Sequence, residues 1–132
     1  MNKICEEIIE DFNLFDDWEG RYSYLIDMGK KLPDMNDEDK IDENIVKGCV
    51  SKVWMIFDIV NGEIIIKADS DSQIVRGLVA LILKIYNNQD ISDIKNIDMD
   101  VVFSEIGLDK HLSPNRRNGF FSMIEKIRSI RG

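Results

Sequence analysis

The sequence predicts an α+β domain, and three observations carry that expectation. An amphipathic helical pattern opens the chain. Two runs rich in β-branched and aromatic residues then meet at Asn61-Gly62, and a long, almost wholly apolar helical segment follows at once. With 132 residues the chain is expected to form one domain, 1–132. Apolar residues make up 44% and charged residues 32%, the balance of a folded protein with a real core.

Each element has a local reason. Ile4, Ile8, Ile9 and Phe12 recur at helical spacing with Glu6, Glu7 and Glu10 opposite, so the first segment reads as an amphipathic helix with Cys5 on or beside its apolar stripe. A second helix is expected from about Asp16 to Leu32, with Trp18, Tyr22, Leu25 and Ile26 on one face and Pro33 preventing continuation. Residues 33–43, "PDMNDEDKIDE", read as a solvated acidic loop. In "VWMIFDIVNGEIIIKA" both turn residues tolerate positive φ, as a type I′ hairpin turn requires. Ser70 stands three residues before Gln73, the spacing of a capping box for the next helix.

That helix, "DSQIVRGLVALILKIYNN", has almost no polar face and must be covered on several sides. Gly77 costs about 1 kcal/mol of helix propensity relative to alanine, which predicts a close backbone approach, expected against the hairpin. Short helical stretches follow around "ISDIKNI" and "DVVFSEIG", the latter stopped by Gly107. In the closing segment Ser113 is the expected N-cap and Pro114 the first helical residue, with Phe120, Met123, Ile124, Ile127 and Ile130 as buried stripe.

Charge narrows the classes of partner. The net charge of -8 repels phosphate backbones and anionic lipid, so neither nucleic acid nor a membrane is expected. From Lys110 onward six basic residues oppose Glu125 alone, a local +5 that leaves -13 for the first 109 residues. Basic residues there complement the negative end of a terminal helix, and the same asymmetry offers a field to a protein partner. No apolar run reaches the ~20 residues of a membrane span. The acidic opening residues are unlike a secretory signal, so the cytoplasm is expected. Thiols stay reduced there, and Cys5 and Cys49 are expected to be free.

The chemistry centres on "NIVKGCVSKVW". Cys49 follows Gly48, precedes Ser51, and sits just ahead of the first strand, with Lys47 and Lys52 placed to favour a thiolate. Residues alone leave a packed thiol and a functional one both open. Two Cys and one His without a CxxC pair exclude a zinc finger and make a resident iron–sulfur cluster improbable. A hydrolase would need His111 to serve Cys49 as base. Asp69 and Asp71, at a strand-to-helix junction, are expected to satisfy orphan amides and the positive helix end. Arg116 and Arg117 lie in a helix's first turn, where positive charge is unfavourable, which points to a role such as holding a carboxylate or the thiol loop.

Taken together, "VKGCVSKVW", "ADSDSQIVRGLVALIL" and "HLSPNRRNGFFSMI" resemble the signature blocks of the SufE family in order, as do the helix around Trp18 and the Leu32-Pro33 stop. Arg117 and Phe120 depart from it, standing where many members carry a small residue and a leucine. The resemblance implies a small antiparallel sheet with helices packed on one side, similar to the U-type (IscU-like) cluster scaffolds. It implies that Cys49 accepts sulfur as a persulfide from a SufS-like, pyridoxal-phosphate-dependent cysteine desulfurase, activating it, for a SufBCD-like cluster scaffold. The chain itself would need no cofactor. Gly48, Ser51, Asp69, Asp71, His111 and Arg116 become supporting or partner-facing positions. A docking adaptor and a Cys49/His111 hydrolase stay as alternatives.

Overall fold

The computed structural model describes residues 2–130, so Arg131 of the basic tail lies outside them. Helices α1 (Lys3–Asn13) and α2 (Trp18–Lys30) lead into single 3-10 turns at Asp37–Asp39 and Asp42–Asn44. Strands β1 (Val53–Val60) and β2 (Glu63–Ser70) form an antiparallel hairpin in register Val53↔Ser70 to Val60↔Glu63. Then come α3 (Gln73–Tyr86), a 3-10 turn at Ile94–Asn96, α4 (Met99–Glu105), α5 (Leu108–His111) and α6 (Pro114–Arg128). Among the described residues no helix is long and apolar enough to cross a membrane.

The hairpin forms where the turn chemistry requires it, with Asn61 at φ 54° and Gly62 at φ 81°. Alternation of side chains then separates its faces. Val53, Met55, Ile64, Ile66 and Ala68 are buried toward the helices. On the other face Asp58, Val60, Glu63 and Lys67 are exposed, Ile56 and Ile65 are half-buried, and Trp54 and Asp69 are buried, with Lys40 of the acidic segment lying over the Trp54 ring. The architecture is thus α+β with the helices on one side, as expected.

Helix α3 lies at the centre. Ile74, Leu78, Val79, Leu81, Ile82, Ile85 and Tyr86 are all buried. Its Gly77 does mark a close approach, but to α2 and not to the hairpin. A Cβ there would lie 2.5 Å from the Leu25 carbonyl oxygen, and one on Gly29 would lie 2.6 Å from the Gly77 amide. The two backbones touch through a pair of glycines. On α2 itself, Asp17 caps the first turn by accepting from the Gly20 amide at 2.8 Å, and Leu25 is buried whereas Tyr22 of the expected stripe is 39% exposed.

The Ser70 capping box does not form. β2 continues through Ser70, so α3 starts two residues later, with Ser72 in the cap position and making no side-chain cap bond. Further along, Gly107 adopts φ 85° after α4 as expected, and Ser113 accepts from the Arg116 amide with Pro114 opening α6.

One ionic cluster joins these pieces. Asp69 is 1% exposed and accepts from the Met35 and Ser70 amides and from Arg76. Arg76 also donates to the carbonyls of Gly29 and Leu32 and pairs with Asp34, while Lys40 lies 3.7 Å from Asp69. A buried carboxylate is tolerated only when its lone pairs are met in this way. The result ties the end of α2, the acidic segment, β2 and α3 together.

Gly77→Ala should lower stability by about 1–3 kcal/mol, the cost of overpacking, although alanine alone would favour the helix by about 1 kcal/mol. Urea denaturation followed by circular dichroism measures this, and an unchanged or raised midpoint would contradict the α2–α3 contact.

Candidate functional site

Cys49 lies on a loop whose two ends are fixed and whose middle is nearly free. At the entry the Val46 amide donates to the Val53 carbonyl at 2.9 Å, and Ile45 bridges Trp54. At the exit the Lys52 carbonyl accepts from the Ser70 hydroxyl at 2.7 Å and the Asp71 amide at 3.3 Å, and the Lys52 amide donates to the Asp71 carboxylate at 3.1 Å. Between them residues 47–48 form a turn, and among the described residues no backbone group of 47–51 pairs with another element. Gly48 makes the bend at φ 95°, a conformation that side chains strain. Val50 is 80% exposed at the tip.

Cys49 points inward from this loop. It is half-buried, and its Sγ donates to the Gly119 carbonyl of α6 at 3.5 Å. Beneath it is a cavity of about 220 Å³, walled by Val75 and Leu78 of α3 and Phe120 and Met123 of α6, with Ser51 and Arg116 among its polar lining. Burial pushes the Cys49 thiol above its ordinary pKa, because a thiolate in an apolar wall loses its hydration. Lys47 and Lys52, which could have favoured the anion, are solvated. Lys47 lies along a separate groove with Ser122 and Glu125, and Lys52 is exposed. At rest the sulfur is therefore a protonated thiol.

The other residues singled out from sequence fall into distinct places. Asp71 and Asp69 do not cap α3: Asp71 clamps the loop exit, and Asp69 is sealed in the ionic cluster and cannot face a partner. Arg116 reaches the cavity, whereas Arg117 turns to the Asp109 carbonyl and the Phe103 ring. His111 is exposed and stacks on Trp18 with ring centroids 4.3 Å apart, beside a different depression lined by Asp16 and Arg21. Cys49 and His111 thus form no hydrogen-bonded dyad. Cys5 is 1% exposed within α1 and, like Cys49, free. Among the described residues no group of three or more His, Cys, Asp or Glu could hold a metal ion.

Sequence reasoning missed Gly119 and Ser122. A Cβ on Gly119 would stand 3.2 Å from the Cys49 sulfur, and one on Gly48 would stand 2.5 Å from the Ser122 hydroxyl. The signal was present as a glycine inside a helix, the same cost that marked Gly77.

Comparison with known proteins bears on family and fold. The SufE model, described as an Fe-S metabolism associated domain, matches residues 6–131. An uncharacterized SufE-like protein of Rhizobium etli is 44% identical over 127 residues, covering 93% of this chain and 86% of that protein. A similar one from Rhizobium meliloti is 43% identical over 128 residues, covering 94% and 91%. The solution structure of a hypothetical protein from Thermus thermophilus shares the fold, with a TM-score of 0.77 at 14% identity over 96% of this chain and 91% of that one.

Native protein treated with iodoacetamide should be modified once, at Cys49, slowly at neutral pH and faster as pH rises through its raised pKa; Cys5 should react only after unfolding. Peptide mapping checks this, and fast neutral-pH modification of Cys49 would contradict a seated, protonated thiol.

Proposed function

The chain belongs to the SufE family of iron–sulfur metabolism, and from that premise we propose that Cys49 accepts sulfur from a pyridoxal-phosphate-dependent cysteine desulfurase and carries it as a persulfide for cluster assembly. Unloading the desulfurase in this way activates it. The observation that carries this reading is the tether: a thiol at the centre of a loop anchored only at its ends, held inward by one weak sulfur-to-carbonyl bond.

The step is a thiol–persulfide exchange. Cys49, as thiolate, attacks the outer sulfur of the donor's persulfide; a new S–S bond forms on Cys49, the donor's S–S bond breaks, and the donor cysteine leaves as thiolate. Charge and oxidation state balance, so no further oxidant is needed. Pyridoxal phosphate acts on the desulfurase, releasing sulfur from free cysteine before this chain takes part. A SufBCD-like scaffold is the expected recipient, and the cytoplasm the expected compartment.

The resting geometry sets a condition on that step. A buried thiol is a poor nucleophile, so the loop swings outward in the complex, where water or the partner solvates the thiolate. Exposed Val50 and the Arg116 guanidinium at the cavity are placed to meet the partner, Arg116 through a carboxylate. Once the sulfur has been handed on, the loop returns and the cavity again covers the thiol.

Mixed with desulfurase, pyridoxal phosphate and cysteine, the wild-type chain should gain the mass of one sulfur, removable by dithiothreitol, and Cys49→Ser should gain none. If Cys49→Ser stimulated desulfurase turnover as fully as the wild type, the chain would be a docking adaptor instead.

A further inference from the structure

The Cys49 loop rests on one face of α6 whose shape is unusual. Gly119 and Ser122, one turn apart, present bare backbone and a small hydroxyl, and Cys49 and Gly48 lie on them. A Cβ at 119 would stand 3.2 Å from Sγ, tight enough that the sulfur would have to give, and at ordinary contact distance, 3.5 and 3.6 Å, from the Cys49 Cα and Cβ. The contact made there is Sγ–H to the Gly119 carbonyl. A carbonyl has two lone pairs, so one in mid-helix can accept this second donor.

That bond has a chemical asymmetry. A thiol donates to a carbonyl; a thiolate or the anion of a persulfide has no proton to give and sets one lone pair against another. We propose that Gly119 is a positioning residue that reads the protonation state of the sulfur: it seats the loop while Cys49 is a neutral thiol and releases it when the sulfur becomes an anion.

This deepens the carrier role proposed above and rests on it for its use. A donor that deprotonates Cys49 would thereby also free the loop, and the loaded anion would stay outward until its sulfur is handed on. α3 presents Val75 and Leu78, α6 presents Arg116, and on the loop Lys47 lies toward Glu125 while Lys52 is tied to Asp71 through its amide. The neutral thiol is the form that burial favours, so seating stabilises the fold at low pH and loses its contribution as pH rises through the raised thiol pKa.

The test uses the full chain alone. In the wild type, amide resonances of Gly48, Val50 and Ser51 should move with the same midpoint as thiolate absorbance. In Cys49→Ser, whose hydroxyl donates without ionising, they should stay still. Gly119→Ala should bring the thiol midpoint back toward the ordinary value near ~8.5 and raise neutral-pH alkylation several-fold. Loop resonances indifferent to thiolate formation, or an alanine variant with unchanged midpoint and rate, would overturn the proposal. Should Gly119→Ala not fold, the wild-type and Cys49→Ser titrations decide alone. Sulfur loading by a desulfurase is measured separately: a loop that responds in a chain that accepts no sulfur would sink the carrier role and leave the seat standing.

Discussion

The buried Asp69 carboxylate is the interaction on which the rest depends. A carboxylate this deep in the protein must have its oxygens occupied, and Arg76 together with the Met35 and Ser70 amides does so. Removing one partner of such a pair costs about 3–5 kcal/mol, because the other charge is left stranded. Arg76 directs its remaining donors to the end of α2, so the acidic segment, the hairpin and the central helix are held in one arrangement. The next two residues after Asp69 are Ser70 and Asp71, which grip Lys52. A rigid floor under β2 thus becomes a fixed hinge for the loop that carries the thiol.

From that hinge the loop reaches α6 with little else to hold it. Strong anchors at both ends and one weak bond in the middle make a segment that can move without disturbing the core. The same placement has a chemical consequence, since an apolar wall keeps the sulfur protonated and therefore quiet. The cavity lies on one side of the loop, and Val50 faces solvent on the other.

Much of this was legible in the sequence because the signals were local. Asn61-Gly62 specify a turn with positive φ whatever surrounds them, and Ser113-Pro114 specify a helix start. Cys49 stood out as a thiol between a glycine and a strand. Misreadings arose where tertiary partners overrode local ones. Ser70 has the spacing of a cap, yet its hydroxyl is taken by Lys52 because β2 runs on past it. Asp69 resembles a helix-start acid, but Arg76, seven residues later, claims it. Gly77 announced a close approach without naming its partner, Gly29, which lies 48 positions away in sequence. His111 could pair with Cys49 on paper, and only the fold puts it on Trp18.

The claim at the centre of this account is that Cys49 both receives sulfur and surrenders it. The most direct measurement loads the chain with radiosulfur from labelled cysteine and desulfurase, re-isolates it, and adds a cluster scaffold with iron. Label should leave Cys49 and appear on the scaffold. Label that stays on the chain, or that reaches the scaffold equally well through Cys49→Ser, would contradict it.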